Sequence, residues 1–185
     1  RLYVCHTVKT SSFPCAARYL GVNTSSPTSP SKSLDTTIGF GGSSPAYYYF
    51  PAVMVGSNGN LGTVFNFSSS TRYAGILYTQ VSPTGAIQPL GLLKEGQNTY
   101  FKTFSGTRNR WGDYNGICRD PLSSNTFWGN AMFAGATANN WGTWVGSTTL
   151  TASAPGVQAS YEPNSGRLSI SGDEGDNHIL VLKQD

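Results

Sequence analysis

The chain has 185 residues, of which 11% are charged and 12% aromatic, and its formal net charge at pH 7 is +3. So many aromatic side chains exclude a disordered chain, because they supply apolar surface to bury. The basic residues are dispersed and do not form the dense face that nucleic-acid binding needs, so we expect no nucleic-acid partner.

The charges divide the chain into two parts. Residues 1–150 carry a net charge of +6 and residues 151–185 a net charge of −3, which predicts a boundary near Leu150. Neither part holds a run of about 20 apolar residues, so we expect no membrane span. The sequence shows no initiating methionine and no secretory leader, so we expect it to follow a cleavage or to be a fragment.

The first 44 residues predict a hairpin and a loop. The strands are predicted at Leu2–Val8 and Phe13–Leu20, joined by a turn at Lys9–Ser12. Asn23–Ser44 is rich in Ser, Thr, Pro and Gly, which is typical of a surface connection. A short strand over Thr36–Phe40 is an alternative within it.

Three strands with strong turn signals follow. Tyr47–Val55 is aromatic and apolar, Leu61–Phe67 returns after the turn Ser57–Asn60, and Ala74–Val81 comes next. Frequent short strands with Gly- and Pro-containing turns indicate an all-β fold.

A second copy of this pattern begins near Arg110. Its strands are predicted at Gly116–Asp120, Thr126–Phe133 and Trp141–Leu150. The two copies align with Ala52-Val53 on Gly116-Ile117, and Gly62–Phe67 roughly on Phe127–Met132. A repeat of roughly 64 residues favours blade-like sheets with long loops.

Cys5 and Cys15 are candidates for a disulfide. If the first hairpin pairs about Thr10, the two cysteines face each other across the strands, close enough for a bond. The alternative is two buried thiols. Cys118 is predicted to be a small buried residue that stays unbonded.

A motif in the second copy resembles a known family. It comprises Arg110–Tyr114 (RWGDY), Asp120-Pro121, Asn125–Trp128 (NTFW) and Asn139–Trp144 (NNWGTW), with Tyr49–Ala52 and Leu92–Lys94 before it. These residues resemble the C-terminal blades of sialidase-like β-propellers in large secreted or cell-surface bacterial proteins. The resemblance implies a partial propeller of two to three antiparallel blades over residues 1–150; the alternative is a β-sandwich.

The tail resembles the Gly/Asp-rich β-repeats that follow such modules. It implies a C-terminal β-tail, or the start of a second β-module, over residues 151–185. Asp173, Asp176 and Asn177 could supply oxygen ligands to calcium. The competing interpretation is a polar hairpin turn, and we otherwise expect no metal or other cofactor.

The RWGDY segment offers a candidate carbohydrate site. Arginine can hold a carboxylate or hydroxyl groups, and an indole ring can stack on a sugar. The candidate binding residues are Arg110, Trp111, Asp113, Tyr114, Trp141 and Trp144. The alternative is that these aromatic residues pack between blades while Arg110 and Asp113 tie loops together.

Catalysis would need a tyrosine nucleophile, a carboxylate and an arginine cluster, the requirements that the family resemblance implies. The available residues are Tyr114 or Tyr100, with Glu95, Asp113, Arg108 and Arg110. The Asp-box repeat of that superfamily is missing. We therefore expect a non-catalytic structural or adhesive module, extracellular or at the bacterial cell surface. The alternative is the C-terminal part of a glycoside hydrolase or a carbohydrate-binding propeller.

Two or three blades cannot close a ring, so we expect another polypeptide to complete the sheet system. That polypeptide would come from the same precursor or from a neighbouring subunit. The aromatic residues expected to leave an apolar face uncovered are Tyr47–Phe50, Phe65, Phe67, Trp111, Phe127, Trp128, Trp141 and Trp144.

Overall fold

The computed structural model describes residues 1–150, 158–162 and 167–171. The chain divides into two compact units, Arg1–Leu150 and Thr151–Asp185, which are described separately. Twelve β-strands and no helix are found among the described residues, so the fold is all-β as expected. Consequently, the part of the chain that the structure describes holds no helix able to cross a membrane.

The first sheet contains β1 (Leu2–Val8), β2 (Ala16–Asn23) and β3 (Ser31–Ile38), antiparallel and in that order. The bounds of β1 match the prediction. β2 begins three residues later than predicted. β3 lies within the expected surface loop and overlaps only in part with the alternative strand Thr36–Phe40. A bulge between Gly21 and Val22 interrupts the pairing of β2 with β3.

The second sheet is a four-stranded antiparallel meander of β4 (Ala46–Val55), β5 (Leu61–Ser69), β6 (Gly75–Val81) and β7 (Gly91–Lys94). Its first three strands lie where the sequence predicts them. The register of β4 and β5 shifts between Tyr49 and Ala52, and Phe50 within that irregularity has a φ of 51°.

The third sheet has the order β10-β9-β8. Its strands are β8 (Gly116–Arg119), β9 (Thr126–Ala134) and β10 (Trp141–Thr149), close to the predicted bounds. In the second unit, β11 (Gln158–Glu162) and β12 (Arg167–Ser171) form an antiparallel pair with Ser160 opposite Ser169.

The second sheet lies between the other two, as β5 shows. Every residue of Leu61–Phe67 is buried, although neighbouring residues of a strand point to opposite faces. Phe65 and Phe67 share a core with Tyr19 of the first sheet, whereas Val64 packs with Ala131 of the third. Residues 1–150 therefore form three layers, one more than the two layers of a β-sandwich.

The contacts of two glycines correct the predicted repeat alignment. Gly62 faces the third sheet, where its α-carbon lies against the ring of Phe127, and Gly129 faces back towards Val64. Gly62 therefore points to the following layer and Phe127 to the preceding one, so the two are not equivalent. The predicted alignment of Gly62–Phe67 is one residue out of register, which exchanges the two faces of a strand.

The uncovered aromatic surface is smaller than the sequence suggests. Tyr48, Phe65, Phe67 and Phe127 are buried between the layers, which corrects that part of the expectation. Trp128, Trp141 and Trp144 are each exposed to between 42% and 50%, and Tyr47 to 42%. Of the aromatic residues expected to be uncovered, those that remain exposed therefore belong mainly to the third sheet.

Candidate functional site

The connection between β7 and β8 forms an ordered loop that carries most candidate site residues. Its two arms are joined by a backbone bond from Arg110 N to Lys102 O, 2.7 Å long. The Asn109 side chain adds two more, accepting from Lys102 N at 2.7 Å and donating to Tyr100 O at 3.2 Å. The loop therefore holds its shape through amide side chains as well as its backbone.

The turn between β9 and β10 fixes this loop against the third sheet. Asn139 accepts a hydrogen bond from Phe101 N at 2.7 Å, and its own backbone N–H donates to Thr99 O at 2.8 Å. Asn98 Nδ2 donates to Ala136 O at 2.9 Å. Asn139 has a φ of 60°, a conformation that asparagine tolerates better than most residues. The NNWGTW motif thus begins with a residue that positions the loop.

An open depression of about 600 Å³ lies beside this loop. Its wall contains Tyr100 and Trp111, whose rings meet edge to face with centroids 4.9 Å apart. Trp141 and Phe104, 50% and 71% exposed, border it. The full lining is Tyr100, Thr103, Phe104, Gly106, Arg110, Trp111, Gly112, Met132 and Trp141. This surface combines aromatic faces with one guanidinium group and includes no acidic residue.

A second depression of about 430 Å³ lies on the other side of Arg110 and Trp111. Arg108 and Asp113 line it together with Thr7, Tyr49, Phe50 and Asn109. Arg110 lies 3.6 Å from Asp113, a distance for an ion pair without a short hydrogen bond. The second depression thus brings together four of the predicted residues: Arg108, Arg110, Trp111 and Asp113.

The floor of the second depression is tied to the first two sheets. Thr7 Oγ1 accepts a hydrogen bond from Phe50 N at 2.9 Å, and Asn115 Nδ2 donates to Phe50 O at 2.7 Å. These bonds hold Phe50 in its left-handed conformation. Burial raises the pKa of Tyr49 to about 12.

Trp111, like Arg110, lines both depressions. Its Nε1 is buried and has no hydrogen-bond partner among the described residues. A buried N–H group without an acceptor costs about 1–3 kcal/mol. Unsatisfied groups of this kind are rare in folded proteins, which distinguishes Trp111 from the other indoles of the motif.

Two predicted binding residues lie elsewhere. Tyr114 is 87% exposed and lines neither depression. Trp144 lies opposite Ala131 on the face towards the second sheet, where Lys94 Nζ approaches its ring centroid to 4.3 Å. Its ring also meets Phe133 edge to face. Trp144 therefore joins two layers instead of lining the candidate site.

The proposed catalytic set does not gather in one place. Glu95 is held by Arg72 through two hydrogen bonds, at 3.1 and 2.5 Å, and lines neither depression. Tyr100 faces the first depression, while Asp113 and Arg108 line the second. The nucleophile, carboxylate and arginines of a sialidase-type mechanism are not brought together among the residues that the structure describes.

Two residues of the motif, Asp120 and Asn125, stabilise turns. Asp120 accepts hydrogen bonds from Trp128 Nε1 at 2.7 Å and from the backbone N–H groups of Leu122 and Ser123. The bond from Trp128 is the main cause that holds the pKa of Asp120 below its usual range. Asn125 Oδ1 accepts from Ser57 Oγ at 3.0 Å, which ties this turn to the second sheet.

The predicted disulfide register is wrong. β1 and β2 pair with Cys5 opposite Tyr19, and Cys15 lies just before β2, so the two cysteines are not cross-strand neighbours. All three cysteines carry free thiols. Cys5 and Cys15 direct Sγ to the carbonyl oxygens of Pro51 and Tyr48, at 3.1 and 3.3 Å. Cys118 is exposed, which corrects the expectation of a buried residue.

The calcium candidates Asp173, Asp176 and Asn177 lie outside the described residues. Within residues 1–150, 158–162 and 167–171, no group of three or more His, Cys, Asp or Glu side chains is placed to hold a metal ion.

Tyr100, Thr103, Phe104 and Met132 line the first depression but were not predicted as binding residues. One signal was available, because exposed Phe101 and Phe104 lie in a segment without strand periodicity and within ten residues of the RWGDY motif. Aromatic residues in such a loop need a structural or binding explanation.

No protein-family model, curated protein or solved structure matches this chain. The resemblance to sialidase-like propellers therefore stays a prediction.

Proposed function

We propose that this chain is a non-catalytic structural or adhesive module of an exported bacterial surface assembly. Its three layered sheets are consecutive blades of a sialidase-like β-propeller. One observation carries this proposal: β5 is buried on both faces, while the outward faces of the first and third sheets carry exposed apolar side chains. In a propeller, each blade packs face to face on the next, and a stack with uncovered apolar outer faces can be extended by further sheets in the same way.

The arrangement of the polar residues supports a non-catalytic role. Glu95 is engaged by Arg72, and Arg110 and Asp113 face each other across a largely exposed loop. A catalytic acid or base should lie within hydrogen-bond reach of the same substrate atom as its partners. The low fraction of charged residues supports an exported module, since it is well below the roughly 25% of ordinary soluble domains.

Assays with sialosides and aryl glycosides test this proposal directly. We expect no turnover by the purified chain. Turnover that disappears in Tyr114→Phe or Glu95→Gln, but persists in the control Leu122→Ala, would favour the C-terminal part of a glycoside hydrolase. Leu122 is the appropriate control because it is 96% exposed in a turn away from both depressions.

Carbohydrate binding is the second candidate function, favoured by the first depression. Half-exposed aromatic rings offer flat apolar faces, and Arg110 supplies several N–H donors to hydroxyl or carboxylate oxygens. A glycan array probed with the wild-type chain and with Trp141→Ala tests this function. Loss of a glycan signal in Trp141→Ala, but not in Trp144→Ala, would support the depression as the site.

A further inference from the structure

The stack of sheets has two uncovered outer faces, one on the first sheet and one on the third, and they differ from each other. On β1, Tyr3 and Cys5 pack against the core, so Leu2 and Val4 point outward, where they are 55% and 44% exposed. Their cross-strand partners on β2 are Val22 and Leu20. The outward face of the first sheet therefore presents these aliphatic side chains beside the ion pair of Arg18 with Asp35.

The outward face of the third sheet contains a depression instead. It has a volume of about 400 Å³ and is lined by Gly116, Ile117, Cys118, Trp128, Gly129, Asn130 and Val145. Val145 and Trp128 are 59% and 42% exposed. No charged residue lines this depression, so apolar side chains could enter it without leaving a charge unpaired.

The interface between the second and third sheets shows how such faces meet. Phe127 of the third sheet packs over Gly62 of the second, where the missing side chain leaves room for its ring. The outward face of the third sheet is the face that a following sheet would cover. The outward face of the first sheet is the face that would pack on a preceding one. Each chain thus carries both faces that such an interface needs, one on its first sheet and the other on its third sheet.

We propose that a second copy of this chain covers both ends, giving a closed head-to-tail dimer. Leu2 and Val4 of each copy would enter the depression beside Cys118 of the other. Two copies supply six sheets, within the four to eight blades of known propellers. Head-to-tail contacts form a ring when the rotation closes. This inference rests on the proposed propeller architecture and adds the identity of the completing partner.

Light scattering of the full 185-residue chain tests the assembly. We expect twice the mass of the 19.7 kDa chain. Val4→Glu and Val145→Glu should each give monomers, because every interface of the closed dimer contains one face of each kind. Leu122→Glu is the matched control, since it adds the same charge at a fully exposed turn, and it should remain dimeric. Circular dichroism would confirm that both variants fold.

Mixing the two variants distinguishes this arrangement from others. A mixture of Val4→Glu and Val145→Glu retains one intact interface, so we expect a heterodimer that neither variant forms alone. Dimers of Val4→Glu by itself would show that third sheets pair with each other and would overturn the proposal. Polymers larger than two copies would overturn it as well.

The exposed Cys118 thiol gives an independent measurement. Its reaction with an alkylating reagent should slow as the concentration of wild-type chain rises, and should stay fast in Val4→Glu. A wild-type monomer whose Cys118 reacts equally fast at all concentrations would overturn the dimer. That result would leave the proposed module function standing, because the glycoside and glycan assays decide it separately.

Discussion

The hydroxyl group of Tyr19 lies 2.6 Å from the hydroxyl group of Thr63, and this buried hydrogen bond joins the first sheet to the second. Thr63 donates its own hydroxyl hydrogen to Ala52 O at 2.9 Å, so Tyr19 is the donor to Thr63. Both side chains are completely buried. The chain Tyr19–Thr63–Ala52 therefore satisfies three polar groups within the most apolar part of the structure.

Removing the middle of this hydrogen-bond chain should destabilise the protein more than removing its end. Thr63→Val leaves the Tyr19 hydroxyl group without its acceptor, removes the side-chain bond to Ala52 O and should cost about 1–3 kcal/mol, whereas Tyr19→Phe should cost about 1 kcal/mol. The double variant should cost less than the sum, because the two residues interact. Denaturant unfolding measures all three. Tyr73→Phe, a change at a half-exposed tyrosine, is the control and should have little effect. Equal and additive losses would contradict this account.

The close packing of the second and third sheets predicts a strong effect of Gly62→Ala. A Cβ atom at this position would lie 2.5 Å from a carbon of the Phe127 ring, well inside van der Waals contact. Overpacking of this kind costs about 1–3 kcal/mol. Gly112→Ala is the matched control, because its Cβ would meet nothing closer than 3.9 Å. The free energy of unfolding should fall only in the first variant; a stabilised Gly62→Ala protein would disprove the packing described here.

The three thiols should react at different rates. Burial raises the pKa of both Cys5 and Cys15, which lowers the fraction of reactive thiolate at pH 8, whereas Cys118 is exposed. Iodoacetamide should therefore modify Cys118 first at low protein concentration, as mass spectrometry of timed digests would show. Recovery of a Cys5–Cys15 disulfide peptide from a non-reduced digest would contradict the observed register.

Alkaline pH should destabilise the protein through buried tyrosines. Burial raises the pKa of Tyr19, Tyr48 and Tyr49, to about 12 for Tyr49. An unfolded tyrosine titrates near pH 10. The folded state binds these protons more tightly, so their contribution is fully present below about pH 10 and is lost as pH rises towards 12.

Two measurements check the alkaline prediction. Phenolate absorbance should show these three of the ten tyrosines titrating later than the others. Unfolding midpoints should fall between pH 10 and 12, and less steeply in Tyr49→Phe than in the control Tyr73→Phe. A single titration near pH 10, without loss of stability, would be inconsistent with the buried positions.

Alternation and turn chemistry were sufficient to predict most strands. Tyr47–Val55 and Leu61–Phe67 are apolar runs on either side of a Ser-Asn-Gly-Asn turn, and both became strands within one or two residues of the expected bounds. The β1–β2 register failed for a local reason. Thr10 Oγ1 accepts hydrogen bonds from Ser12 N and Phe13 N, which organises a seven-residue loop where a four-residue turn was predicted.

The candidate site was predictable only in part. Trp141 and Trp144 are three positions apart on one strand, so strand periodicity alone places them on opposite faces. Applying that rule would have removed one of the two from the binding set, and the structure shows that it is Trp144. Tyr100 and Phe104 could not be placed in this way, since their loop has no periodicity. Their positions depend on side-chain bonds from Asn109 and Asn139 to distant backbone groups.

The double-sided burial of β5 also bears on how the chain unfolds. A sheet whose central strand borders two cores cannot detach from one neighbour without exposing Phe65 and Phe67, or from the other without exposing Val64. Opening of the middle layer is thus coupled to loss of both interfaces, and the backbone amides of β5 should exchange with solvent only through global unfolding. The outer strands β1 and β10 can fray at far lower free energy. Deuterium uptake should therefore proceed inward from both ends of the stack and reach Val64 last.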